Sequence, residues 1–202
     1  MNPATRRGEV AGPAGALECA FDGPGHASSG VAVICHPHPQ HGGTMDNKVV
    51  QTLARAFVQR GWRSVRFNFR GVGSSGGCWD AGQGEVDDVL AVVQAQRASD
   101  EPLALAGFSF GGAMAAWAAS RLAGSAAPAR LVLVAPAVTS FSPPAVGAEA
   151  LLVHGELDEV VPLSAVLEWA RPQALPVTVL PGVGHFFHGQ LTTLRHWVAR
   201  SI

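Results

Sequence analysis

Six short apolar runs punctuate the chain: GVAVIC (30–35), SVRFNF (64–69), LALAGF (103–108), RLVLVA (130–135), ALLVHG (150–155) and VTVL (177–180). Most are apolar nearly throughout rather than alternating, which is the pattern of strands buried on both faces. The stretches around them have helical spacing instead: MDNKVVQTLARAFVQRG (45–61), GEVDDVLAVVQAQR (84–97), GGAMAAWAASRLAG (111–124) and LTTLRHWVARS (191–201). Strand alternating with helix predicts βαβ units, and so an α/β fold with a doubly wound, mostly parallel sheet and helices on both faces. No repeat, low-complexity tract or break in composition marks a second domain. Residues 13–202 are therefore expected to form one domain, with residues 1–12 loosely held.

Composition narrows the function classes. The 202 residues are 48% hydrophobic and 14% charged, with a formal net charge of −1, so a sizeable core comes without a strong long-range field. Nucleic acid and anionic membrane are not expected partners, and no apolar run approaches the roughly 18 residues of a membrane span. Arg6 and Arg7 could pass for an export signal, but Glu9, Pro13 and Glu18 interrupt the apolar core such a signal needs. Cys19, Cys35 and Cys78 are odd in number and far apart, which suits neither a disulfide framework nor a CxxC site. A soluble, cytoplasmic protein is expected.

In a doubly wound sheet, ligands sit beyond the carboxyl ends of the strands, so loops that follow strands are the places to look for chemistry. A G-x-S-x-G pattern occurs twice, centred on Ser109 and on Ser75, and with 24 glycines in the chain the bare pattern decides little. Context separates the two. A nucleophile elbow needs a strand ending at the serine and a helix starting directly after it. LALAGF-S-FGGAMAAWAAS supplies both for Ser109, whereas Ser75 lies several residues beyond its run and nothing helical begins until about Gly84. Gly71, Gly73 and Gly76 also spell the G-x-G-x-x-G of a dinucleotide-binding turn, but no helix opens on them. Residues 91–96, AVVQAQ, also lack the carboxylate that would hold the ribose. No cofactor is expected.

A serine nucleophile needs a general base, itself oriented by a third group. His185 stands in LPGVGHFFHG, between the last strand and the last helix, with His188 three residues on as the lesser alternative. His154 ends a strand and His196 lies within a helix. Asp158, in HGELDEVVP, follows the strand ALLV, flanked by Glu156 and Glu159, which read as solvated charges. Ser109, Asp158 and His185 each follow a different strand.

GFSFGG, HGELDEVVP and GVGHFF, in this order on an alternating chain, resemble the α/β-hydrolase superfamily. HPHPQHGGTMDNKVVQTLA with RFNFRGVGSSGG is further similar to small, lidless bacterial members related to dienelactone-hydrolase-like esterases. The resemblance implies a serine hydrolase with Ser109, Asp158 and His185 as its triad. Dienelactone hydrolases themselves carry a cysteine nucleophile, which Ser109 departs from.

CHPHPQHGGT then reads as an oxyanion loop, with the N–H of His38 and the N–H of Phe110 as donors, since Pro37 and Pro39 have none to give. The rival reading is a metal site on His36, His38 and His41, but no carboxylate nearby completes a ligand set, and no metal is expected. Lidded relatives insert a helical cap after the strand that here ends at Ala135. Residues 136–149, PAVTSFSPPAVGAE, are rich in helix breakers and are expected to form a short surface loop. An uncovered site should favour short, soluble acyl groups, with Phe141, Trp79 and Phe186 shaping the pocket. The expected function is hydrolysis of small carboxylic esters. Thioester hydrolysis by the same triad, or a non-catalytic binding domain on the same fold, are the alternatives.

Overall fold

The computed structural model describes residues 5–202. Eight strands form one sheet in the order β1-β2-β4-β3-β5-β6-β7-β8. The central and carboxyl-terminal strands are β3 (Val31–Cys35), β4 (Arg63–Phe67), β5 (Leu103–Phe108), β6 (Arg130–Val134), β7 (Leu151–Gly155) and β8 (Val177–Leu180), all parallel to one another. They coincide, within a residue or two, with the six apolar runs.

Strand alternation divides the interior into two cores. Val31, Val33 and Cys35 of β3 face one side, where they meet α2 (Gln83–Gln96) and α3 (Phe110–Arg121). Ala32 and Ile34 face the other, against α1 (Lys48–Gln59) and α6 (Leu191–Ser201). Ala113, Ala115, Ala116 and Ala118 let α3 lie close over the middle of the sheet. Local chemistry starts the helices: Asn47 Oδ1 accepts the N–H groups of Val49 and Val50 at 2.9 and 3.4 Å, and the Glu85 carboxylate accepts those of Asp80 and Gly82 at 2.9 and 2.8 Å.

Two expectations are corrected. The amino-terminal segment is not loose over residues 6–12. Arg6–Gly12 forms β1, which pairs antiparallel with β2 (Gly15–Asp22), and β2 in turn pairs antiparallel with β4. Residues 1–4 lie outside the described residues. The segment after β6 is also not loop throughout, because Val138–Phe141 makes a four-residue helix, α4. A further helix, α5 (Leu163–Ala170), follows the loop after β7.

The glycine-rich loop after β4 serves as the seat of the β1–β2 hairpin. Gly76 packs against Gly15, where a Cβ on either would stand 3.0 Å from the other's backbone. Ser75 Oγ donates to the Asn68 carbonyl at 2.7 Å and accepts the Glu18 N–H at 2.9 Å, so both of its roles are structural. Ser75→Ala should therefore cost about 1–3 kcal/mol, the price of leaving the Glu18 N–H without its acceptor. Urea denaturation checks this: a midpoint equal to that of the parent would show that the hydroxyl ties nothing.

Candidate active site

Ser109 joins β5 to α3 with φ 55° and ψ −118°, a conformation that costs a non-glycine residue roughly 1–3 kcal/mol. Its backbone is held from both sides. The N–H donates to the Val134 carbonyl at 2.9 Å, and the carbonyl accepts from Gly112, Ala113 and Ala137 at 3.0, 3.2 and 3.1 Å. The flanking glycines are required by space, since a Cβ on Gly107 would overlap the Gly111 carbonyl and one on Gly111 the carbonyls of Cys35 and His36. Ser109 makes no side-chain cap to α3, which leaves its hydroxyl free to face the loops opposite.

Those loops bring two partners. His185, between β8 and α6, places Nε2 3.0 Å from Ser109 Oγ, while its Nδ1 lies 2.7 Å from Asp158 Oδ2. Asp158, after β7, uses its other oxygen to accept the N–H groups of Val160 and Val161 at 2.9 and 2.7 Å. Burial pulls the Asp158 carboxyl upward, but the hydrogen bonds from His185 and Val161 and the nearby imidazoles outweigh it, leaving the pKa below the usual carboxylate value. An ionised Asp158 fixes the proton of His185 on Nδ1 and leaves Nε2 to accept from the serine.

The remaining histidines sort differently. His188 is exposed and packs at a tilt against Phe186, and His196 is exposed on α6. His154 is fully buried beneath the acid loop, with Nε2 2.9 Å from the Val161 carbonyl and 3.5 Å from Asp158 Oδ2. It thus ties the end of the Asp158 turn at Val161, a role its position at a strand end did not announce. Glu156 is more than a solvated charge: its carboxylate accepts the Gly182 N–H at 2.8 Å and links the loops that carry acid and base.

The histidine-proline loop follows β3. His36 is buried with both ring nitrogens in use: Nδ1 donates to the Pro37 carbonyl at 2.6 Å and Nε2 accepts the Phe69 N–H at 3.0 Å. It cannot offer a lone pair to a metal there without breaking the tie between β3 and the chain after β4. His38 Nδ1 accepts the Gln40 N–H at 3.2 Å, and its ring stacks on His41 at 4.3 Å. Among the described residues, the N–H groups of His38 and Phe110 make no hydrogen bond. Trp79 folds over the loop to 4.7 Å from the His38 ring, and Phe141 packs edge-on against Phe110 at 4.8 Å. Phe186 stands apart from this cluster, half exposed and edge-on to His185 at 5.1 Å.

Sheet order, the strained serine turn and, among the described residues, the absence of an inserted cap define an α/β-hydrolase of the lidless kind. Residues 27–166 match the family described as serine aminopeptidase, S33, and the chain belongs to it. A solved α/β serine hydrolase without lid from Xanthomonas campestris is 37% identical, superposes with a TM-score of 0.89 and is matched over 100% of this chain and 94% of its own. An α/β serine hydrolase homologue from Coxiella burnetii is 41% identical, with a TM-score of 0.86 over 98% and 97% of the two chains. An uncharacterized protein of Rickettsia prowazekii is 38% identical over 114 residues, 55% of this chain and 46% of that one, so the chain spans about half the length of this curated relative. No helix among the described residues is long and apolar enough to cross a membrane.

Burial lowers the His36 pKa from 6.5 to about 4, against the opposing hydrogen bond to Pro37. Between these values the unfolded chain binds a proton that the folded one refuses. His36 thus contributes stability above pH 6.5 that is lost as pH falls towards 4, about 3 kcal/mol in all. The urea midpoint should fall over this window, and fall less steeply in His36→Asn. Equal slopes in the two proteins would show that His36 does not carry the effect.

Proposed function

We propose that this protein is a serine hydrolase that cleaves carboxylic esters of small molecules through an acyl-enzyme, with Ser109 as nucleophile, His185 as general acid-base and Asp158 as its orienting partner. The observation that carries the reading is the continuous chain of short contacts, 3.0 Å from Ser109 Oγ to His185 Nε2 and 2.7 Å from His185 Nδ1 to Asp158 Oδ2. Ser109 Oγ attacks the ester carbonyl as His185 Nε2 takes its proton. The oxyanion that forms is held by the N–H groups of His38 and Phe110, which are otherwise unbonded. Collapse breaks the bond to the leaving oxygen, which takes the proton from His185 and departs as the alcohol. Water then enters, gives its proton to the same nitrogen, and releases the acid and the free serine.

His38, Trp79 and Phe141 pack around Phe110, the residue after Ser109, in a cluster of rings that suits an uncharged acyl group. This favours an ester over a peptide bearing a free ammonium beside its scissile bond. A thioester presents the same acyl carbonyl and is the second substrate of the same site.

Ser109→Ala should abolish labelling by a fluorophosphonate and lower kcat by at least about 10³-fold, whereas Ser75→Ala keeps both; equal loss in the two would place the nucleophile elsewhere. Asp158→Asn should lower kcat by about 10⁴-fold with little change in KM, through loss of the tautomer that leaves Nε2 free. A panel of p-nitrophenyl esters, acyl thioesters and aminoacyl p-nitroanilides fixes the bond cleaved. Turnover confined to the anilides would reject the ester reading.

A further inference from the structure

We propose that Phe141 sets the length of acyl chain the site accepts, its ring forming a fixed wall between Ser109 and an apolar groove that runs along α3. The inference rests on the ester-hydrolase reading above and names the specificity of that site.

The Phe141 ring touches residues next to Ser109 in the chain and in the loop after β3. It packs edge-on against Phe110, whose N–H adjoins the nucleophile, at 4.8 Å, and lies 5.7 Å from the His38 ring. Phe141 also lines a groove of about 360 Å³, with Gly82, Val86, Met114 and Trp117 among its other lining residues. Phe110, Met114 and Trp117 recur at spacings of four and three residues on α3 and so form one stripe of that helix. The groove thus continues the line that starts at the nucleophile. Met114 lies about 6 Å and Trp117 about 10 Å beyond Phe110 along the helix axis, a span for an acyl chain of medium length. At the far end, Arg121 is held by Asp87 at 2.6 Å, so the rim offers no free cation to a carboxylate and suits an uncharged chain.

The wall is pinned rather than hinged. Trp117 Nε1–H donates to the Phe141 carbonyl at 3.0 Å, and Trp169 Nε1–H donates to the Pro143 carbonyl at 2.9 Å. Phe141 N–H closes α4 on the Ala137 carbonyl at 3.2 Å, and Ser142 then turns with φ 38°, which directs the chain away. Two indoles from different helices hold the one segment between β6 and β7 that stands where lidded relatives carry a cap. Opening the groove therefore requires removing the ring, because the backbone that bears it has no freedom to swing.

The test is the ratio of kcat/KM for octanoyl over acetyl p-nitrophenyl esters, read alongside labelling rates with octyl and ethyl fluorophosphonates. In Phe141→Ala both ratios should rise by about tenfold or more, the discrimination that a few methylenes earn in an apolar pocket. In Phe141→Trp both should fall. Where Phe141→Ala does not fold, Phe141→Leu replaces it, with a smaller rise expected against the same fall in Phe141→Trp. Ratios that stay at the parent value in the enlarged and the narrowed variants overturn the wall while leaving the hydrolase intact. A parent protein that neither fluorophosphonate labels overturns the hydrolase reading itself.

Discussion

The close approach of Gly107 to Gly111 is the constraint on which the rest of the site depends. Ser109 occupies a backbone conformation that no helix or strand would select, and it persists because the chain before and after it is too tightly packed to relax. Four backbone hydrogen bonds, to Val134 on one side and from Gly112, Ala113 and Ala137 on the other, over-determine that turn. β5 lies between β3 and β6, so the strain is carried by the most buried part of the sheet, where fraying is least available. The turn also puts the hydroxyl at the amino-terminal end of α3, where the helix field favours developing negative charge.

Given that fixed point, parallel topology brings the other groups to it. The loops after β3, β5, β7 and β8 all open at the carboxyl edge of one sheet, so a histidine and a carboxylate from remote sequence positions line up on a single serine. Buried polar side chains then lock each loop to its neighbour. His36 joins the end of β3 to Phe69, His154 braces the Asp158 turn, and Glu156 fastens that turn to the loop before His185. None of these three need touch substrate. Their work is to reduce the rotational freedom of the loops, which a site lacking a cap cannot restrict by closing over its ligand.

Much of this was legible in the sequence, and for a physical reason. Parallel strands covered on both faces must be apolar on both, so β3, β5 and β6 announce themselves as unbroken runs, and strand, serine, helix in immediate succession identifies the elbow. The β1–β2 hairpin escaped because it lies at an edge, half exposed, with Arg6, Arg7, Glu9 and Glu18 among its residues. A polar, glycine-bounded stretch of that kind reads equally well as a loose terminus. α4 escaped because one turn of helix fits between prolines without any periodicity to reveal it. The H-x-H-x-x-H spacing suggested three equivalent imidazoles, but burial distinguishes them: His36 has both nitrogens spent on backbone, while His38 and His41 stack on each other. Sequence gives ring identity, whereas the lone pairs left over depend on packing.

The aromatic cluster shows how a lidless hydrolase can still be selective. A closing cap gains contacts with its substrate but must order itself to do so, and that ordering is subtracted from affinity. Here His38, Trp79, Phe110 and Phe141 are already packed on one another before any substrate arrives, so no comparable cost falls on binding. The same preorganisation removes adaptability, because rings that support each other cannot yield to a larger acyl group one at a time. Phe110 joins both effects: in the proposed reaction its N–H is a donor to the oxyanion, and its ring packs edge-on against Phe141. On the proposed reaction, a substrate that displaced Phe141 would also displace the residue next to Ser109, so that poor fit would become poor alignment for catalysis, and selection would act on kcat as well as on binding.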